Sequence, residues 1–169
     1  MGEKMTFRQI FLSKWVPALI TAGIGGLVVA LLVPMFQTDY AEKAALKKRK
    51  IELWESIGNN FTNYMTFRSS LNTAALSERE MVKEKKFPSK EFLERKESYR
   101  RERDRYANDL RRDFLLAGYY FGSEIQKEIN AFLNWHRQYR IATVDKLPPD
   151  EEYAKWRDKI MLVIRSQLQ

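Results

Sequence analysis

The sequence predicts an all-α protein in which one N-terminal transmembrane helix is followed by a soluble bundle of four or five helices. Two observations predict this fold class. Residues 15–36 form a stretch of 22 positions without a charged side chain. After residue 39, apolar residues recur every three or four positions, and no sustained alternation typical of strands is present.

The uncharged stretch has the length of a membrane span. A helix over residues 15–36 would reach about 33 Å, close to the roughly 30 Å thickness of the hydrocarbon core. A cleaved signal peptide is the main alternative, but its apolar core has only about 7 to 15 residues and ends in a small-x-small cleavage site. We therefore divide the chain into a short basic tail at 1–14, a transmembrane helix at 15–36 and a helical domain at 37–169.

The distribution of Lys and Arg around the span predicts its orientation. Three cations precede the span, whereas five follow it within 15 residues: Lys43, Lys47, Lys48, Arg49 and Lys50. Because cations are retained on the cytoplasmic side, we expect the C-terminal domain to lie in the cytoplasm. The four consecutive cations Lys47, Lys48, Arg49 and Lys50 also suit anionic lipid headgroups, although an ordinary topogenic cluster explains them equally well.

Small residues follow one face of the predicted span. Ala18, Ala22, Gly26 and Ala30 lie four positions apart. In lipid, small side chains let helices approach closely, so this stripe predicts a homo-oligomer interface in the membrane. The alternative is that small residues are simply common in such spans. The span contains no charged or amide side chain, so we do not expect a permanently open ion channel from one copy.

The helical domain contains recognisable helix boundaries. Five residues are suitable N-caps, two of them with an acid three positions later as in a capping box: Asp39, Ser77, Ser89, Ser123 and Asp150. The second of these helices is expected to end before Pro88, and the third at Gly118. Apolar positions at helical spacing predict the inward face of each helix, beginning with Leu46, Leu53 and Ile57 in the first.

Signatures of catalysis are scarce. The chain has no cysteine and one histidine, which excludes disulfides, thiol catalysis and zinc sites built on cysteine. A glycine-rich phosphate loop, a G-x-S-x-G turn and an H-E-x-x-H motif are all missing from the sequence. We therefore expect no enzyme, no catalytic residue, no metal and no cofactor.

The formal net charge of +8 suits anionic partners. The densest run of charges, residues 94–105, contains five arginines. Most of them lie three or four positions from an acid, as in the pairs Glu91 with Arg95, Glu97 with Arg101, and Glu102 with Arg105. That spacing is typical of a solvated helix face with weak ion pairs, so we expect no long nucleic acid to bind there.

A second basic cluster is free of acids. Residues 134–140 combine amides, aromatic rings and cations, and our candidate ligand-binding residues are Trp135, His136, Arg137 and Arg140. Stacking on aromatic rings and guanidinium contacts to phosphate would suit an anionic nucleotide. The alternative is a helix C-terminus at which cations complement the helix dipole.

The overall plan resembles the small membrane-associated effectors of type III CRISPR antiviral systems that are gated by cyclic tetra-adenylate. The resemblance rests on the segment Trp15–Phe36 followed by a compact basic domain without alternating strands and helices. It implies a tetramer in the inner membrane of a bacterium. Its cytoplasmic domain would bind the cyclic oligonucleotide, and its membrane part would then perturb the bilayer.

Two functional hypotheses follow. The first is a single-pass, homo-oligomeric, ligand-gated effector that binds an anionic nucleotide messenger and perturbs the membrane in antiviral defence. The second is a membrane-anchored helical scaffold that docks a protein partner. An effector would be toxic in a way that depends on the span and on an activating signal, whereas a scaffold would retain a stoichiometric protein partner.

Overall fold

The computed structural model describes residues 7–139 and 146–168, with side chains described from residue 39 onward within these ranges. Four helices are found there: α1 (Phe7–Lys83), α2 (Lys90–Phe121), α3 (Ser123–Arg137) and α4 (Asp150–Ser166). No strand occurs among the described residues. The all-α prediction is confirmed.

The chain divides into two compact units, one ending at Leu46 and the other beginning at Lys47. The predicted span 15–36 and its stripe of small residues, Ala18, Ala22, Gly26 and Ala30, lie outside the residues whose side chains are described. Among the residues whose side chains are described, no helix combines the length and the apolar character needed to cross a bilayer.

Helix α1 is longer than the sequence suggested. The expectation of new helices at Asp39 and Ser77 is wrong, because α1 continues through both positions. The carboxylate of Asp39 accepts a hydrogen bond from Lys43 Nζ at 2.8 Å, so it pairs along the helix instead of capping a terminus. Ser77 follows two alanines and a leucine, which favour helix and outweigh the tendency of serine to interrupt one.

The other predicted boundaries fall close to the observed ones. Ser89 caps α2, since its hydroxyl oxygen accepts the Phe92 amide at 3.2 Å. Helix α2 does not end at Gly118 as expected but runs to Phe121, because the additional turn buries the Phe121 ring in the core. Its end is marked by Gly122, whose φ of 77° suits glycine. Ser123 and Asp150 are first helical residues rather than caps.

All four helices contribute to the core of the second unit. Its members with an exposed fraction of 0% are Ile57, Phe61, Ala117, Ile125, Tyr153, Ile160 and Ile164. Phe132 of α3 lies near the centre, with its ring centroid 5.1 Å from that of Phe61 and 5.9 Å from that of Phe114. Leu46, expected to face inward, is instead 45% exposed.

One carboxylate is buried within this core. Asp113 of α2 is 2% exposed, and its Oδ2 accepts hydrogen bonds from the Ser56 hydroxyl at 2.6 Å and from Asn60 Nδ2 at 2.8 Å. Both donors lie on α1. The hydrogen bonds therefore fix the register of α1 against α2 while they offset the cost of burying the charge.

Candidate anion-binding cleft

A cleft of about 490 Å³ opens between α1, α2, the end of α3 and the start of α4. We call it the arginine cleft and define it by six of its lining residues: Arg68, Lys96, Arg100, Arg103, Arg111 and His136. Asp104 is the one acid that lines it within the described part of the chain. Five cations and one acid line the cleft, and four of the cations pair with an acid: Arg68 with Asp150, Lys96 with Glu78, Arg100 with Glu97 and Arg103 with Asp104.

Four of the cations come from a single face of α2. Lys96, Arg100, Arg103 and Arg111 are separated by steps of four, three and eight residues, which keeps them on one side of the helix. At about 1.5 Å per residue the row extends for roughly 22 Å along α2. The row faces α1, so the cations line the cleft instead of pointing away into solvent.

The local partners of these cations differ along the row. Arg103 is held by its neighbour Asp104 at 2.6 Å, and Lys96 forms an ion pair with Glu78 of α1. Arg100 lies 3.6 Å from Glu97, and both side chains are more than half exposed. Arg111 has no ion-pair partner within 4.0 Å among the described residues. The Arg111 end of the cleft therefore carries the least compensated positive charge.

Arg68 forms the floor of the cleft and is 5% exposed. Its Nη1 donates to Asp150 Oδ1 and its Nη2 to the Pro148 carbonyl, each at 2.7 Å. The guanidinium carbon also lies 4.0 Å from the centroid of the Tyr153 ring. A guanidinium stacked on a ring and held by two oxygens is positioned rigidly, and it ties α1 to the start of α4.

His136 lies between two tyrosine hydroxyl groups. Its Nδ1 is 2.9 Å from the Tyr153 hydroxyl and its Nε2 is 3.4 Å from the Tyr64 hydroxyl. The tautomer decides which group donates in each contact. Burial lowers the pKa of His136, and the charges of Arg68, Arg111 and Arg103 lower it further. The imidazole is therefore neutral at neutral pH.

Burial and the arginine charges also affect the pKa values of Tyr64 and Tyr153. Burial raises the pKa of Tyr64, while Arg68, Arg103 and Arg111 act in the opposite direction. Burial also raises the pKa of Tyr153. Both phenols are thus protonated. Because a neutral imidazole has one acceptor nitrogen, one tyrosine hydroxyl donates to His136 and the other can donate to another acceptor beside the arginines. The arrangement is suited to receive an oxyanion.

The candidate ligand residues taken from the sequence are only partly brought together. His136 lines the arginine cleft, whereas Trp135 does not. The ring centroid of Trp135 lies 4.9 Å from that of Tyr153 and 5.9 Å from that of Trp156. Arg137 is exposed and does not line the cleft, and Arg140 lies outside the described residues. Trp135 packs against the core because three positions along a helix separate it from Phe132, whose ring lies 6.0 Å away.

The proposed headgroup cluster is on the surface. Lys47, Lys48 and Arg49 are exposed, and Lys48 lies 3.8 Å from Glu52. Lys50 is partly covered, with Nζ 5.3 Å from the centroid of the Phe121 ring. Three of the four cations are therefore accessible, and a contact with lipid headgroups stays a prediction.

Sequence reasoning missed the cations of α2, because ion-pair spacing seemed to account for them. The pair of Glu102 with Arg105 is confirmed at 2.8 Å, but Glu97 pairs with Arg100 rather than with Arg101. The overlooked signal is the recurrence of cations on one helix face, where a solvated face would have mixed charges. An apolar position, Ala107, marks the same face and indicates that it looks toward another helix.

Within the described residues, no group of three or more Asp, Glu or His side chains could hold a metal ion. Comparison of the chain with protein-family models, with curated proteins and with solved structures gave no match.

Proposed function

We propose that the helical domain binds a small phosphorylated ligand in the arginine cleft. The observation that supports this most strongly is the convergence of Arg68 from α1 and four cations from α2 on a cleft with one lining acid. Guanidinium groups bind phosphate through paired, charge-assisted hydrogen bonds, which are stronger than neutral ones. Because Arg111 has no ion-pair partner within the described residues, its charge is available to such a ligand.

A nucleotide fits the chemistry of the cleft better than inorganic phosphate alone. The volume of about 490 Å³ falls within the range of small-molecule sites, about 300 to 1,000 Å³. Among the tyrosines that line the cleft, Tyr64 and Tyr153 are buried, whereas Tyr139 is half-buried and offers an aromatic ring that supports the stacking of a base. A cyclic oligoadenylate, the ligand that the family resemblance implies, combines several phosphates with bases and is our leading candidate.

We further propose that residues 15–36 anchor the protein as a single transmembrane helix, with the domain in the cytoplasm of a bacterium. Close packing through Ala18, Ala22, Gly26 and Ala30 would assemble a homo-oligomer, a tetramer if the resemblance holds. Ligand binding to the domain would then perturb the bilayer, as a membrane effector in antiviral defence does. The uncharged length of the segment and its small-residue stripe support this part of the proposal.

The ligand hypothesis is tested by calorimetric titration of the full chain in nanodiscs with cyclic tetra-adenylate and with ATP. We expect Arg103→Gln and Arg111→Gln each to weaken binding roughly 10-fold or more, since a hydrogen bond to a charged group contributes about 1.5 to 3 kcal/mol. Arg101→Gln is the matched control, because Arg101 lies on α2 but does not line the cleft. Equal effects of all three substitutions, or no binding of either ligand, would overturn the proposal.

The membrane hypothesis has a separate test in cells. Expression of the full chain with an activating ligand should slow growth, and Gly26→Leu should relieve this by separating the packed helices. Ala30→Gly is the control, since it keeps a small side chain on the same face. Fractionation of the unmodified chain with cytosol instead of membranes would contradict this part of the proposal and leave the ligand hypothesis standing.

A scaffold is the second candidate function, and one observation favours it. Leu115 and Tyr119 of α2 lie one turn apart and are 77% and 83% exposed. Such side chains at neighbouring positions are typical of a protein-binding helix face. The scaffold hypothesis predicts that Leu115→Ser with Tyr119→Ser releases a protein partner without altering ligand binding. The effector hypothesis predicts that toxicity survives this double substitution.

A further inference from the structure

The turn between α1 and α2 exposes two apolar side chains. We call residues 82–90 the hairpin tip. Val82, in the last turn of α1, is 64% exposed, and Phe87, in the loop, is 97% exposed. A phenylalanine in contact with water over nearly its whole surface gains free energy from any apolar surface that it meets. The position of Phe87 therefore favours a contact outside this chain.

Lysines surround these two side chains. Lys83, Lys85, Lys86 and Lys90 are all exposed, and Glu84 is the one acid of the tip, which gives four positive charges against one negative. Glu84 is engaged with Lys86 at 2.7 Å, and Lys90 lies 3.7 Å from Glu94. Lys83 and Lys85 have no ion-pair partner within 4.0 Å in the described part of the chain. The charges of Lys83 and Lys85 are therefore uncompensated by ion pairs in the same segment as the two exposed apolar side chains.

The backbone holds the tip in a defined shape. On the α1 side, the Lys86 amide donates to the Met81 carbonyl at 2.8 Å, and Lys85 adopts a left-handed conformation with φ 56°. On the α2 side, Ser89 caps the helix through the Phe92 amide. Phe87 lies between these two fixed points.

We propose that the hairpin tip docks on an anionic lipid surface, with Phe87 and Val82 entering the headgroup boundary and the lysines contacting lipid phosphates. Apolar insertion and attraction to anionic lipids act together at membrane interfaces, and each cation near the surface adds to the affinity. Val82 has no aromatic face on which a base could stack, so the pair of apolar side chains fits lipid better than nucleic acid. This contact is independent of the arginine cleft and of the cluster Lys47–Lys50.

The absence of cysteine from the sequence makes a site-specific test possible. Val82→Cys in the full chain, labelled with an environment-sensitive dye, places a reporter in the hairpin tip and leaves Phe87 intact. The labelled protein is held in nanodiscs of neutral lipid and titrated with vesicles of phosphatidylcholine alone or with vesicles rich in phosphatidylglycerol. We expect a blue shift of the dye emission with the anionic vesicles and no shift with the neutral ones. A label at Leu162→Cys, an exposed position on α4, should not respond.

Two substitutions in the labelled background separate the apolar and the charged contributions. Phe87→Ser should lower the apparent affinity for anionic vesicles roughly 10-fold, because the ring no longer leaves water. Lys83→Glu with Lys85→Glu should lower it at least about 5-fold per residue, in a manner that high salt reproduces. An equal response to neutral and anionic vesicles, or a response that neither variant changes, would overturn the proposal. A shift produced only by added protein would assign the tip to a protein partner and would also overturn it.

Discussion

The guanidinium carbon of Arg68 lies 4.0 Å from the centroid of the Tyr153 ring, so a buried cation of α1 is stacked on the first buried residue of α4. The same guanidinium donates to Asp150 and to the Pro148 carbonyl at 2.7 Å. The floor of the arginine cleft is therefore built by a contact between distant parts of the sequence. The contact therefore affects the stability of the domain as well as the shape of the cleft.

Replacement of Arg68 should destabilise the domain. Arg68→Met keeps most of the apolar stem but leaves the Pro148 carbonyl and the Asp150 carboxylate without their donor. We expect the free energy of unfolding to fall by about 2 to 3 kcal/mol, less than for a fully buried pair because Asp150 is 42% exposed. Chemical unfolding followed by circular dichroism measures this. Arg101→Met, at an exposed position, should change it by less than about 0.5 kcal/mol, and an equal loss in both variants would contradict the assignment.

The pH dependence of stability should carry a contribution from His136. Because the pKa of His136 is lowered in the folded state, the unfolded chain binds more protons as the pH falls below about 6.5. The contribution of His136 to the free energy of unfolding is therefore fully present above the pKa of the unfolded state. It is lost as the pH falls toward the pKa of the folded state. His136 is the single histidine of the chain, so His136→Gln should reduce the pH dependence of the unfolding midpoint between about pH 7 and about pH 5.5. An unchanged slope in that variant would show that other groups titrate there.

The buried carboxylate of Asp113 offers a test of the contact between α1 and α2. Asp113→Ala removes the acceptor of two hydrogen bonds from the half-buried Ser56 and Asn60, which retain the 3.3 Å contact between Asn60 Nδ2 and the Ser56 hydroxyl oxygen. We expect a loss of about 2 to 3 kcal/mol in the free energy of unfolding. Asp158→Ala, at a side chain that is 66% exposed, is the control and should cost little. If the two variants are equally stable, the register of these helices does not depend on Asp113.

Gly122 separates α2 from α3 and has a φ of 77°. A Cβ at this position would meet no atom within 4 Å, so the cost of a substitution lies in the backbone conformation alone. With ψ −160°, Gly122 lies in a region that is essentially restricted to glycine, so we expect Gly122→Ala and Gly122→Asn each to lower the free energy of unfolding by about 1 to 3 kcal/mol. Thermal unfolding of both variants measures this loss. Variants as stable as the unmodified chain would contradict this explanation.

The helical character and most of the core could be predicted from the sequence, because apolar residues at helical spacing determine which face is buried. Leu53 and Ile57 on α1 were identified in this way, and both are buried. The boundaries inside α1 were not predicted correctly. Asp39 and Ser77 have the capping-box pattern, but the pattern also allows pairing within a continuous helix, and only the flanking context decides between the two.

The candidate site could be predicted only in part. His136 was found because aromatic and cationic residues cluster around it in the sequence. The sequence did not identify Arg68, Arg103 and Arg111 as site residues. They line one cleft only because α1 packs against α2, and no local sequence pattern encodes that packing. Each arginine of α2 has an acid within a few positions, so pair spacing gave a sufficient local explanation. The face of α2 that these cations share indicates a cleft only when the position of α1 opposite it is known.

The imidazole of His136 provides the most direct measurement of the central claim, that the arginine cleft binds an anionic ligand. As the single histidine, it gives one ring signal in NMR spectra of the full chain with isotopically labelled histidine, produced without a histidine tag. Addition of cyclic tetra-adenylate should shift this signal and raise the pKa of His136, because phosphate charge offsets the arginines that lower it. Arg111→Gln should weaken this response, and Arg101→Gln should leave it intact. A His136 signal and pKa that stay unchanged at saturating ligand would contradict the account.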